Sequence, residues 1–405
     1  MNREGLITLS NHCMNTLCRR IPSRSVGSPG NRQATGFFLE EVSSRGFETE
    51  AATFNVLDWH DGGASLKIGS EHYEVLVSPY SLGCSVSANL AAAGNLTELE
   101  NTDLQGKIIL LHGEIAREQL MPKNFVFYNP EEHKKIVSAL ERSGVLAIIC
   151  ATGRNAALAG GVYPFPLIED GDFNIPSVYM TEEEGKKILS HLGEKVYIES
   201  YSERIPGIAS NIIARKGSGF SERMVITAHI DAKKGTPGAL DNATGVTILL
   251  LLAELLRDYS GNKLVELVAL NGEDYYSAPG QMNYIKANQN LFDTILLNIN
   301  IDGAGYLDGD SAFSFFTLPD EILQAARTVF SRYSGLCEGP EWYQGDHSIF
   351  IQQGRPAIAF TSRWFLDNME SQTITHTPED NLSIVDSGKL AEIAEAIRQL
   401  IDDLN

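Results

Sequence analysis

From Ile208 to the C-terminus the chain alternates short apolar runs with helical stretches, and this rhythm constrains its fold more than any other feature. Residues 224–228, 264–270, 294–301 and 357–361 read as buried strands. Residues 242–259, 279–289, 320–333 and 386–404 read as helices, the first apolar almost all round and the last amphipathic. Strands separated by helices pair in parallel and leave both sheet faces to be covered. The expectation is an α/β fold, a mostly parallel mixed sheet with helices on both faces. In such sheets ligands bind beyond the carboxyl ends of the strands.

The chain has 405 residues, too many for one ordinary core, and suits two domains. Its 43% hydrophobic and 21% charged residues are ordinary for a globular protein. The first sixty residues read as a helix, a Gly/Pro/Ser break at 22–31, a second helix ending near Gly46, and strand-like alternation at 47–51. From about Gly62 the pattern changes to short strands at 64–68, 73–77 and 107–111. Asn129-Pro130 then opens a helix through Arg142 that Gly144 ends, and 145–150 is a short buried strand. Few ionisable residues stand at strand ends in this stretch. The expected division is 1–61 with 206–405 as the chemical domain, and 62–205 as an inserted, smaller, β-rich α+β domain.

A net charge of -20 argues against nucleic acid, which would need a basic face, and fits wells of carboxylates that hold cations. The N-terminus has no apolar region of signal-peptide type, and the longest apolar run, 246–255, is too short to span a bilayer. Five cysteines without a CxxC pair suit a reducing compartment, so a cytoplasmic location is expected, with no membrane partner. Oligomeric state is not legible.

Three successive strands deliver acidic or imidazole groups to the same sheet edge. They are His229-Ile230-Asp231, Asn271-Gly272-Glu273-Asp274 and Asp302-Gly303. A lone His or Asp there is ordinarily a turn or cap residue; three together are harder to explain as turns. Asp241-Asn242 opens a buried helix, as an N-cap would. The small residues around it, however, suit a carboxylate pressed close to cations. His376, in Thr375-His376-Thr377-Pro378, is weak on its own. Together His229, Asp241, Asp274, Asp302 and His376 suit zinc, with manganese or cobalt as substitutes. They divide into two half-sites sharing Asp241, and two-metal hydrolytic centres hold their ions about 3.5–4 Å apart. Asp231 is close enough to accept the other N–H of His229. Glu273, beside Asp274, is placed to take a proton from water and return it to a leaving amine.

The strings AHIDAKK, GALDNATG, NGED, NIDGAG, GDHSIF and HTPEDN occur in that order. On them the chain resembles the di-zinc aminopeptidase family of metallopeptidases, relatives of glutamate carboxypeptidase and glutaminyl cyclase. The resemblance covers 206–405 and, more loosely, 1–60, while 62–205 resembles the protease-associated domain that many members insert. It implies a zinc exopeptidase-like fold and two zinc ions per chain. His229 and Asp302 would hold one ion, Asp274 and His376 the other, and Asp241 would bridge. It further implies Glu273 as general base, Asp231 as orienting residue, a cis Asp241–Asn242 bond and a peptide substrate cut at its N-terminus. Asn242, Asp346 and His347 are candidates for support behind the ligands, a hydrogen-bonded loop pair being the even alternative for the last two. The family's usual Glu-Glu pair is Glu273-Asp274 here, and Thr375 stands where some relatives carry a Tyr that stabilises the oxyanion. Tyr275, Tyr343 or zinc itself remain for that role. Two rival expectations stand beside the aminopeptidase: a one-metal, glutaminyl-cyclase-like acyltransferase and a non-catalytic scaffold.

Overall fold

A computed structural model describes residues 1–21, 23–155 and 160–405; of the break at 22–31, Pro22 lies outside them. The chain divides into two compact units, Met1–Val56 with Ile208–Asn405, and Leu57–Gly207.

In the first unit the strands lie in the order Leu336–Glu338, Ser311–Phe316, Ala357–Ser362, Ile295–Ile301, Arg223–His229 and Leu264–Leu270, followed by the end of Lys195–Lys216. The four strands from Ala357–Ser362 to Leu264–Leu270 run parallel, and antiparallel neighbours flank them on both sides. This is the mostly parallel mixed sheet with flanking helices that the sequence rhythm implies.

Side chains alternate across a strand, and the alternation sorts the central strands cleanly. Met224, Ile226 and Ala228, Val265, Leu267 and Ala269, and Leu297, Ile299 and Ile301 enter one large apolar core. Helices Arg3–Asn15, Pro29–Ser44, Thr244–Leu255, Asp320–Phe330 and Ser387–Asp403 contribute their apolar residues to the same core. The other registers carry Thr227 and His229, Glu266, and Asn298 and Asn300. Asn298 donates to the Thr227 hydroxyl at 3.2 Å, and that hydroxyl donates to Asn300 Oδ1 at 2.7 Å. His229 and Asp302 therefore continue a buried polar register to the edge of the sheet. Glu266, wholly buried, is held by Arg215, Arg223 and the Tyr284 hydroxyl.

Several elements differ from the sequence expectation. The buried helix begins at Thr244 rather than 242, after an irregular turn at Ala239–Ala243. It ends at Leu255, because Leu256 leaves helical geometry. The expected strand at 73–77 is two short ones, Glu71–Tyr73 and Leu76–Val77. Between the strand Ala357–Ser362 and His376, Arg363–Asn368 forms a short helix. Glu48–Ile68 and Lys195–Lys216 are single strands of 21 and 22 residues. Their mixed polar and apolar character gave no continuous apolar run to read.

In the second unit Cys84–Ala93, Ile108–Leu111, Ala147–Thr152 and Ser177–Thr181 pair in parallel. Helix Glu131–Arg142 buries Ile136, Val137 and Leu140 in the core on one side of this sheet. Leu66, Leu90, Ile149 and Ile198 fill a second core.

Candidate metal centre

His229 closes the strand Arg223–His229, and the Ile230 N–H then donates to Leu270 O at 2.8 Å, tying that end to the neighbouring strand. Asp302 comes directly after Ile295–Ile301, its N–H bonded to Phe360 O at 2.9 Å. Asp241 sits in the turn before the buried helix, with φ -118° and ψ 88°, and its bond to Asn242 is cis. Asn242 fastens that turn twice: its Nδ2 donates to Ile301 O at 2.8 Å, and its Oδ1 accepts from the Gly245 N–H at 2.9 Å. A Cβ on Gly245 would stand 2.5 Å from both Asn242 Oδ1 and Ile301 O, so only glycine lets helix and strand meet there. His376 adopts φ 63°, a left-handed conformation rare for a residue with a Cβ. Gln372 shapes its approach, accepting from the Ile374 and Thr375 N–H groups and donating to the Thr375 hydroxyl at 2.6 Å.

These elements bring all five ligand candidates together. His229 Nε2 lies 3.1 Å from Asp241 Oδ1 and 3.5 Å from Asp302 Oδ1. His376 Nε2 lies 3.1 Å from Asp241 Oδ2 and 3.0 Å from Asp274 Oδ1. The two oxygens of Asp241 thus face two different imidazoles. Ligand atoms of His229, Asp241 and Asp274 all fall within 4.8 Å of one another. His229 Nε2 and Asp274 Oδ2 are buried without a hydrogen bond of good geometry. Buried polar atoms seldom lack partners. Orphaned nitrogen and oxygen donors converging among crowded carboxylates are what a bound cation requires, and the mixed set suits zinc.

The charges shift one another accordingly. Burial works against protonated His229, but Asp302, Asp231 and Asp241 outweigh it and hold its pKa well above the usual imidazole value. His376 is raised in the same way by Asp274 and Asp241. Burial opposes ionisation of Asp241, yet the two imidazoles carry its pKa far below the carboxylate range. Glu273, half-buried beside Asp274, is pushed well above that range by burial and then by Asp302, Asp274 and Asp346.

Asp231 lies against both His229 and the 272–274 loop. Its carboxylate stands 3.7 Å from His229 Nδ1, whose nearer neighbour is the Asp231 carbonyl at 3.2 Å. The carboxylate oxygens are engaged by the Gly272 N–H at 2.7 Å and the Asp274 N–H at 3.0 Å. Asp231 therefore shapes the loop carrying Glu273 and Asp274, and it meets His229 through its carbonyl and its carboxylate. Asp346 is buried, accepts from Gln281 Nε2 at 2.8 Å and leaves Oδ2 without a partner; burial pushes its pKa up to about 7. His347 packs between Trp342 and Phe316 with Nε2 donating to Trp342 O at 2.7 Å, and burial lowers its pKa to about 4. Gly345 presses this loop against the centre, since a Cβ there would meet Asp302 Oδ2 at 3.3 Å. Tyr343 is exposed and bonded to Glu341, and Tyr275 is buried against Tyr276. The sequence reading passed over Gln281, Gln372, Arg24 and Asp380. Only Asp380 carried a signal, since it belongs to the HTPEDN string.

Residues 211–401 match Peptidase family M28. A probable leucine aminopeptidase 2 from Aspergillus oryzae is 20% identical over 366 residues, covering 88% of this chain. The chain spans only 64% of that relative's length. Among solved structures, an aminopeptidase from Aneurinibacillus sp. strain AM-1 superposes with a TM-score of 0.76 at 21% identity, covering 99% of this chain and 93% of that one. BSAP, a zinc aminopeptidase from Bacillus subtilis, gives a TM-score of 0.75 at 17% identity, covering 98% and 94%. At these identities the likeness establishes the fold.

Proposed function

Residues 211–401 match peptidase family M28, and on that footing we propose that the chain is a zinc-dependent aminopeptidase that releases N-terminal residues from peptides. One observation carries the reading: Asp241 offers one oxygen to the His229 side and the other to the His376 side, each 3.1 Å from an imidazole nitrogen. That is the arrangement a carboxylate shared by two cations requires. His229 and Asp302 would hold one zinc, Asp274 and His376 the other, with manganese or cobalt as substitutes.

Bound zinc supplies Lewis acidity toward the scissile carbonyl and makes water a competent nucleophile near neutral pH. The remaining steps fall to the chain. Glu273, beside the ligand Asp274, takes the proton of the attacking water and delivers it to the leaving amine. Asp231 holds the 272–274 loop so that Glu273 and Asp274 face the site together. The surrounding carboxylates attract the protonated amino terminus of a peptide, whose opposite charge they complement.

Zinc should be counted per chain, and an aminoacyl anilide and an N-terminal glutaminyl peptide offered in parallel. Two zinc ions with anilide hydrolysis support the reading. One ion with glutaminyl cyclisation alone would replace it by the acyltransferase, and no turnover of either would leave a scaffold. The second unit, lying between the two stretches of the first in sequence, is read as a protease-associated-like insertion. A cytoplasmic location is proposed from its acidic charge and free cysteines. Among the described residues no helix is long and apolar enough to cross a membrane.

A further inference from the structure

Two buried charged residues without a part in this chemistry stand on either side of the turn that carries Asp241. Arg24, 1% exposed, donates to four backbone carbonyls. Its Nε reaches Ile230 O at 3.1 Å, Nη1 reaches Leu17 O at 3.0 Å and Pro237 O at 2.7 Å, and Nη2 reaches Gly238 O at 2.7 Å. Asp380, fully buried, accepts from the Leu240 N–H at 2.6 Å and the Asp241 N–H at 3.1 Å. Its own carbonyl accepts from the Ala239 N–H at 3.1 Å. Two carbonyls and three amides in succession, from Pro237 to Asp241, are therefore held from both sides.

The arrangement is a costly one for mere loop packing. Burying a guanidinium or a carboxylate carries a desolvation penalty that only several good hydrogen bonds offset. A planar fork with five donors can serve four carbonyls at once, which a lysine cannot do. Gly238 makes the approach possible. It has φ 57°, and a Cβ there would stand 2.8 Å from Arg24 Nη2 and 2.5 Å from Asp241 O.

The brace joins three ligand segments. Ile230 comes directly after His229, the braced turn ends in Asp241, and Asp380 lies in the same loop as His376. We propose that Arg24 and Asp380 are positioning residues that set the mutual spacing of His229, Asp241 and His376. The N-terminal segment, outside the matched residues 211–401, thereby becomes part of the metal centre's construction. The proposal rests on the reading of that centre as a zinc site.

Zinc affinity is measured on the full chain by competition with a chromophoric chelator, well below the melting temperature of the metal-free protein. The variants are Asp380→Asn, Arg24→Lys and Gly238→Ala, and kcat and KM for an aminoacyl anilide are read on the same samples. Residues that support ligands from behind typically contribute 10–100-fold to metal affinity. Zinc binding should weaken by about that factor in each folded variant, with kcat falling and KM little changed. A structural role alone would lower the melting temperature of the metal-free protein and leave zinc affinity and kcat intact; that result overturns the proposal. If Arg24→Lys does not fold, Asp380→Asn decides, since it keeps the site's volume close to native. Wild-type protein that binds no zinc would instead overturn the reading of the centre itself, and the brace with it.

Discussion

The two halves of the metal centre are built differently. His229 and Asp302 stand at the ends of adjacent central strands, and the His229 side chain is 1% exposed. His376 comes from a loop, in a left-handed conformation, with its side chain 26% exposed. Its partner Asp274 lies on a loop held by Asp231. The sheet register fixes one half, while side-chain hydrogen bonds from Asp231, Gln372 and Asp380 fix the other. A backbone ladder resists displacement as a unit, whereas a loop held by a few bonds opens at lower cost. The halves should therefore differ in how tightly they keep a cation, and Asp241 should couple them.

The largest effect should come from Glu273, which belongs to neither half. Glu273→Gln should lower kcat by about 10²–10⁴-fold while both zinc ions remain bound. Near-normal turnover would remove Glu273 from the mechanism. Next, His376→Ala should cost about 100-fold or more in affinity for one zinc and leave the other in place, as metal content after dialysis would show. In the wild type, stepwise chelation should strip the His376 side first. Simultaneous loss of both ions would show that the halves behave as one unit.

The wall behind the strand-end half gives a pH prediction. Burial depresses the His347 pKa to about 4, so the unfolded chain binds this proton more readily than the folded one. The contribution is fully present above the ordinary imidazole value and is lost as pH falls from about 6.5 towards 4. At pH 5 the loss is about 2 kcal/mol. The difference in stability between wild type and His347→Phe should shrink over that window; a pH-independent difference would mean that His347 is not held neutral. The smallest effect is expected from Asp274→Glu. One more methylene in a packed site costs about 1–3 kcal/mol, so the zinc on the His376 side should bind about tenfold more weakly and the other unchanged. Tighter binding would show that the shorter carboxylate is the strained choice.

Legibility followed the central strands rather than the two halves of the centre. The strands that lead to His229, Asp274 and Asp302 could be read because a buried parallel strand is a continuous apolar run, and the residues just past its end must lie at the sheet edge. Glu48–Ile68 and Lys195–Lys216 gave no such run. The cis bond after Asp241 was expected from resemblance, not from any local signal. Spacing places Asp231 beside His229, but its hold on the Gly272 and Asp274 amides comes only with the fold.

The sequence by itself determined the sheet, its helices and the kinds of atom gathered at one edge, since periodicity and residue chemistry act over a few neighbours. Only the tertiary structure decided which oxygen of Asp241 faces which imidazole, that His376 arrives in a left-handed turn, and that Arg24 and Asp380 grip one loop from positions 356 residues apart in the chain. Contacts between distant segments depend on the packing of everything between them, and no local pattern encodes that.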